Sequence, residues 1–279
     1  MVRWENTSKV KKIYKKIGSI KMIRQIETFY QYKSLLWEFV KRDIKLKYRN
    51  SALGIIWSML NPLLIMVVLT FIFSNIFKNS IPNFPVYCLS GRLLYDFFSQ
   101  ATNQSMVSIT GKSSLIKKIY VPRYLYPLSR VLSSFIIFLI SLVPLIGIML
   151  VTGVSFNKMN LLAVYPLIML FFIGLGIGLI LSAVNVFFRD LQHLYSVILL
   201  VVMYMSAIFY SPDIINPKYM FIIRLNPVFP IISVFRDCIL YGQVTSLTNW
   251  ILCGVYALIS VVVGLVVFYK SQDKFILHI

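Results

Sequence analysis

Hydrophobic positions run along this chain in long blocks, and five charge-free stretches are each long enough to cross a bilayer: Asn50 to Phe77, Val131 to Asn157, Met159 to Phe188, Leu191 to Pro212 and Cys238 to Tyr269. A spanning helix needs about 20 mostly apolar residues, at a rise of about 1.5 Å each, to cover roughly 30 Å of hydrocarbon. A sixth stretch, roughly Phe84 to Gly111, carries Arg92 and Asp96, but its other residues suit a helix inside a bundle. The pattern predicts an all-α membrane protein with six spans, at about 50–77, 84–111, 124–151, 160–187, 192–211 and 248–269.

Ahead of the first span the pattern changes to helical spacing with charges interleaved. Val10, Ile13, Tyr14, Ile17 and Ile20 alternate with lysines, so residues 1–31 are either an amphipathic helix on anionic lipid or a solvated basic extension. Leu35, Leu36, Phe39, Val40 and Ile44 then recur at three- and four-residue steps among Lys41, Arg42, Asp43, Lys45 and Lys47, predicting an amphipathic helix over 32–49 that runs into the first span. Asn61-Pro62 kinks that span early. Periodicity leaves two readings open, a plain membrane anchor or a helix that passes movement inward.

Charge orients the bundle. Residues 1–49 hold 14 Lys and Arg against 4 acids, and Lys112, Lys117, Lys118 and Arg123 lie between the second and third spans, so both segments are expected in the cytoplasm. With six spans the C-terminal tail returns to the same side. No apolar core with a small-residue cleavage site precedes the first span, so the basic tail is expected to be retained.

Punctuation shapes two further segments. Gly111 to Arg123 is short, basic and closed by Pro122, which suits either a docking helix for a soluble partner or a topology anchor. Its Gly-Lys-Ser triplet is no phosphate loop, because Met106 stands where the first glycine is required. From Asp213 to Tyr241, Asn216-Pro217, Asn226-Pro227 and Pro230 cut the chain into apolar pieces too short to span, predicting re-entrant helices. In the fourth span, Gly174 and Gly178 have the spacing that lets helix backbones approach. Arg92 and Asp96 stand four apart on one face about 12 Å into their helix, and so pair as a structural bridge or line an aqueous route.

The overall composition agrees with a lipid-embedded chain: 58% hydrophobic, 13% charged, a net charge of +19 and a mean hydropathy of +0.79. That excludes an ordinary cytosolic globule and argues against a nucleic-acid module, whose basic stripe belongs on a polar surface. Cys88, Cys238 and Cys253 form no close-spaced pair and read as packing residues. His193 and His278 are far apart, and Arg189-Asp190 and Arg236-Asp237 are adjacent opposite charges, so neither a metal site nor a catalytic acid cluster is expected.

In order along the chain, Leu36-Trp37-Glu38, Arg42-Asp43-Ile44-Lys45-Leu46-Lys47-Tyr48-Arg49, Pro62-Leu63, Leu115-Ile116-Lys117-Lys118, Pro122-Arg123, Asn185 to Asp190, Asn226-Pro227 and Phe235-Arg236-Asp237 resemble the membrane subunit of ATP-binding-cassette type 2 exporters of lipid-linked polysaccharides or teichoic acids. The resemblance implies a homodimer in the bacterial cytoplasmic membrane, served by two copies of a separate ATPase that holds ATP and Mg, with no cofactor in this chain. It implies a polymer cargo, teichoic acid, O antigen or capsule, on a polyprenyl diphosphate. It makes 32–49 the interface helix and 112–123 the coupling segment, with Glu38, Arg42, Asp43, Lys112, Leu115, Lys117, Lys118, Pro122 and Arg123 facing the ATPase. Residues 213–241 become an outer gate built on Asn226, Pro227, Phe229, Arg236 and Asp237. Because sugars stack on aromatic faces, Tyr95, Phe97, Phe98, Tyr204 and Tyr210, with Arg92 and Asp96, are the candidates for a translocation pathway. Two competing classes are a polytopic enzyme acting on lipid-linked sugar, which needs a clustered acid, His or Lys constellation, and a small-solute carrier, which predicts inverted repeats.

Overall fold

A computed structural model describes residues 30–74, 81–112 and 121–278, and every regular element among them is helical. The expectations for most of the basic extension, and for Leu115, Lys117 and Lys118, lie outside the described residues. The first helix, α1 (Lys33–Tyr48), forms on its apolar stripe and buries Leu36, Phe39, Val40 and Asp43. A single turn at Gly54–Ile56 separates it from α2 (Trp57–Ser74).

Helix α3 (Phe84–Met106) starts behind Asn83, whose left-handed φ of 49° turns the chain, and has Pro85 in its first turn, where a missing N–H leaves no gap. Most of α3 is buried, and it forms the axis of the bundle: α2, α4 (Leu125–Val151) and α5 (Val164–Phe187) pack around it. Helix α6 (Leu191–Tyr204) lies on α3 with much of its apolar surface outward. Two short helices follow, α7 (Met220–Arg224) and α8 (Val228–Arg236), the latter continued by a π turn, Asp237–Tyr241. Last come α9 (Leu247–Ser271) and a terminal turn, α10 (Phe275–His278).

Four helical segments among the described residues are long and apolar enough to cross a membrane, Gly54–Phe73, Leu125–Val151, Lys158–Phe187 and Leu247–Lys274. A fifth arises only if Pro217–Arg224 and Val228–Tyr241, bent by 106° at their break, count as one span. The sequence reading of six differs for two physical reasons. Helix α3 has the length but spends its hydropathy on a polar face that includes Arg92, Asp96 and Gln100, and α6 has only 14 residues before the chain turns at Ala207, φ 48°.

Glycines set the closest approach. A Cβ on Gly176 of α5 would collide with the backbone of Ser260 and Val261 on α9, and one on Gly264 with the backbone of Gly176. The two helices therefore touch backbone to backbone. Gly178 faces the other way, where a Cβ would lie 2.9 Å from the Ser105 side chain on α3. The glycine run thus serves two interfaces at once.

Candidate functional site

Three polar clusters lie along α3. The first joins α1 to the far end of α3 and the start of α4. Asp43 occupies the buried face of α1, with its side chain only 2% exposed. Three cations surround it: Arg42 Nη2 at 3.4 Å, Arg130 Nε at 3.4 Å and Lys112 Nζ at 4.0 Å. Phe39 and Tyr126 stack at 5.6 Å beneath them, and the Lys112 ammonium sits 4.9 and 5.4 Å from the two ring centres. Burial is the main cause that pulls Lys112 down to about 8; Asp43 opposes the shift, and Arg130 and Arg42 reinforce it. One carboxylate thus holds together the amphipathic helix, the residue preceding segment 113–120 and the foot of α4.

The second cluster lies within the bundle. Arg92 Nε donates to Asp96 at 3.0 Å, as the four-residue spacing requires, and the guanidinium reaches the Met203 sulfur on α6 at 3.6 Å. The Tyr95 hydroxyl donates to the Leu199 carbonyl at 2.9 Å, and the Tyr195 hydroxyl to Thr102 Oγ1 at 2.6 Å, so α6 is tied to α3 at three levels. On the opposite side, Pro62 removes the N–H that would have bonded the Ser58 carbonyl one turn earlier. Ser141 of α4 supplies the missing donor at 2.9 Å. Lys47, at the end of α1, donates to Gln100 at 2.7 Å.

The third cluster sits about 20 Å from Gln100 along α3, by helical rise. Arg236, 3% exposed, lies over the Tyr87 ring at 3.3 Å and donates to the carbonyls of Ala207, Tyr87 and Ile208 at 2.9, 2.9 and 3.3 Å. The Tyr87 hydroxyl donates to the Ala207 and Tyr210 carbonyls. Space for the guanidinium exists because position 91 is glycine; a Cβ there would come 2.6 Å from Arg236 Nη2. Ala207 holds a left-handed conformation that costs a non-glycine residue roughly 1 kcal/mol, and its carbonyl is clamped from two directions. Next to this cage, Asn226 donates to Val202 and Ser206 and accepts from the Val228 amide, while Asp237 accepts from Thr245 and Trp250.

The remaining candidates are placed as follows. Glu38 points outward and pairs with Lys41. Pro122 is half-buried, and Arg123 donates to the Gln272 carbonyl and lies 4.0 Å from Asp273, which ties it to the C-terminal turn. Phe97 and Phe98 are interior, Phe97 meeting Phe135 edge to face and Phe138 at a tilt. Tyr204 is exposed; the Tyr210 hydroxyl donates to its carbonyl. Phe229 is buried against Ala207 and Ile223, and Pro227 precedes α8 as its cap. Sequence reasoning passed over Arg130, Tyr126, Gln100, Ser141, Tyr87 and Gly91. One signal was available: a mid-helix proline orphans the carbonyl four residues before it, which predicts a hydroxyl donor on a neighbouring span.

The assembled features agree with comparisons to known proteins. A family model described as ABC-2 type transporter matches residues 34–240. The O-antigen export system permease protein RfbA of Klebsiella pneumoniae is 31% identical over 246 residues, covering 86% of this chain and 93% of the relative. The protein of the same name from Myxococcus xanthus is 32% identical over 221 residues, covering 77% and 84%. The polysialic acid transport protein KpsM of Escherichia coli is 24% identical over 236 residues, covering 84% and 91%. The family match spans α1 through most of the π turn, and so contains all three clusters. On this match the chain belongs to the ABC-2 type transporter membrane family, as a multi-pass transport subunit of the inner membrane.

Proposed function

We propose that this chain is the permease of an exporter that carries a lipid-linked polysaccharide to the outer face of the membrane, driven by ATP hydrolysis on a separate subunit. Two copies of the chain enclose the route and two ATPases act on them. In this reading α2, α3, α4, α5, α6 and α9 are the six spans, both termini are cytoplasmic, and α7 and α8 form a re-entrant hairpin at the outer side. The names of the relatives, an O-antigen export permease and a polysialic acid transport protein, support the cargo class.

The single observation that carries the reading is the junction at Asp43. Force applied to segment 112–123 by an ATPase passes through Lys112, and Lys112, Asp43 and Arg130 form one charged cluster spanning α1 and α4. The push is thereby shared between an amphipathic helix and the foot of a span. Arg42, Asp43, Lys112, Pro122 and Arg123, with Glu38, Leu115, Lys117 and Lys118, are the coupling residues of this proposal. Arg236, Asp237, Asn226, Pro227 and Phe229 hold the outer gate, and Arg92, Tyr95, Asp96, Phe97, Phe98, Tyr204 and Tyr210 belong to the pathway spans.

The test is reconstitution of the permease with its ATPase in vesicles loaded with lipid-linked polymer. Export that requires both chains and nucleotide is expected, and Lys117→Glu with Lys118→Glu should abolish both association and export. Transfer of polymer by the permease alone, without nucleotide, would overturn the proposal.

A further inference from the structure

After α9 the chain turns back on the bundle. Gln272–Lys274 form one tight turn, and Phe275 opens α10, a helix of only four residues. A helix that short has almost no stability of its own, so its place is set by what it packs against. Asp273 and Lys274 are exposed, while Phe275 is sealed at 0% exposure. Its ring meets Phe268 of α9 edge to face at 5.5 Å and lies 6.0 Å from the ring of Phe187 at the end of α5. Ile109, just past α3, and Val186 belong to the same small core, and Tyr124, at the entry to α4, packs against it.

Two further contacts make this small core a junction. Arg123 donates to the Gln272 carbonyl, so the residue that closes segment 112–123 is bonded to the backbone of the turn. Its other contact, with Asp273, involves a carboxylate 90% exposed to water and adds little. One helical turn before Phe268, Gly264 meets Gly176 backbone to backbone, which locks α5 and α9 as a pair. Close-packed interiors of this kind pass a displacement on and do not absorb it. We infer that Phe275 is a positioning residue for coupling: it seats the turn that joins Arg123 to the α5–α9 pair. Segment 112–123 then has two outlets. Its Lys112 end reaches α1 and α4 through Asp43, and its Arg123 end reaches α5 and α9 through this turn. Phe275 is sealed, so an ATPase cannot touch it and its effect must pass through the fold. The inference rests on the proposed coupling role of segment 112–123.

The test uses the full permease–ATPase complex in vesicles loaded with lipid-linked polymer, and reads polymer exported per ATP hydrolysed. Phe275→Ala empties the seat. ATPase association within twofold of the parent, continued hydrolysis and at least a fivefold lower export per ATP are expected. Phe275→Leu refills most of the seat and should recover at least half of the parent ratio. A merely structural role would lower the amount of assembled complex and leave export per ATP unchanged, and that result would overturn the inference. Arg123→Met is the second arm, because it removes the donor to the turn without opening the core. It should lower export per ATP at least threefold with association again within twofold, and Arg123→Lys, which can still donate, should retain more than half of the parent ratio. An unchanged ratio in Arg123→Met would overturn the inference even where Phe275→Ala yields no complex to measure. Loss of ATPase association in Arg123→Met would place that side chain at the partner and not on the turn, and would overturn it as well. A parent complex that exports nothing with nucleotide would sink the export reading itself, whereas an exporting parent whose variants keep its ratio removes this inference alone.

Discussion

Asp43 and Arg236 are both nearly sealed from solvent, but Asp43 sits among ions and Arg236 among dipoles. Around Asp43, three cations share one carboxylate, with contacts at 3.4 to 4.0 Å. Around Arg236, three carbonyls and a tyrosine face accept the charge, with no carboxylate among the described residues bonded to it. An ionic cluster left with surplus charge is sensitive to anything that adds or removes a charge nearby, whereas a carbonyl cage depends on the shape of the backbone that supplies it. In the proposed orientation, the responsive cluster lies where an ATPase would act and the shape-dependent one lies at the exit. The difference suits an input that senses and an output that holds a fold.

The sharpest way to break this comparison is Asp43→Asn. It leaves three partly desolvated cations facing one another without an anion, and removal of one partner from a buried ionic cluster typically costs about 3–5 kcal/mol. Thermal unfolding of the purified complex should fall accordingly, and Lys112→Met in the same chain should restore part of the loss, because it removes one of the repelling charges. A change below about 1 kcal/mol would mean that solvent screens the cluster, and the contrast with Arg236 would disappear.

Next in size is the cage. Arg236→Met should cost about 2–3 kcal/mol, since it strips the Ile208 carbonyl of its side-chain donor and loosens the strained turn at Ala207. Arg236→Lys keeps the charge but lacks the fork that reaches three carbonyls, and should recover less than half of the loss. Gly91→Ala places a methyl against Nη2 and should act in the same direction. If lysine restored stability completely, charge and not shape would be what the cage supplies.

Lys112 then separates the clusters by pH. Its ammonium is lowered in the folded chain to about 8 from an ordinary 10.5, so between those values the unfolded chain binds more protons than the folded one. Stability should therefore rise as pH climbs from about 8 towards 10.5, and the contribution should be flat below 8, where both states are protonated. Lys112→Met should erase that rise and, at pH 7, stabilise the chain by roughly 1–3 kcal/mol. Chemical denaturation at pH 7 and pH 10 on both proteins measures it; a steeper rise in the variant would refute the assignment.

The sequence made parts of this contrast readable and hid others. The stripe through Leu36, Phe39 and Val40 gave α1, and the four-residue spacing gave the Arg92–Asp96 pair. Asp43 was counted with the solvated charges because an amphipathic pattern assigns every carboxylate to the polar face. Its actual environment is set by Arg130, 87 positions away, and by Lys112, neither of which local periodicity can bring near. The cage was hidden for a related reason. Arg236 reads only as one of two adjacent opposite charges with Asp237, but successive residues on a helix point about 100° apart, so Asp237 turns to Thr245 and Trp250 while Arg236 turns to the cage.

The smallest prediction concerns the proline between the two clusters, and it tests whether a sequence rule alone accounts for a tertiary contact. Ser141→Ala removes the donor to the Ser58 carbonyl and should cost about 1 kcal/mol, the worth of one buried hydrogen bond. Pro62→Ala restores a backbone N–H at the position that bonds this same carbonyl within the helix. In the Pro62→Ala background, Ser141→Ala should therefore cost only a few tenths of a kcal/mol, a coupling that a double-mutant cycle on thermal stability resolves. Equal costs in both backgrounds would mean that Ser141 contributes through its own bond to Ile137 and through packing, and that the proline's orphaned carbonyl is satisfied by other means.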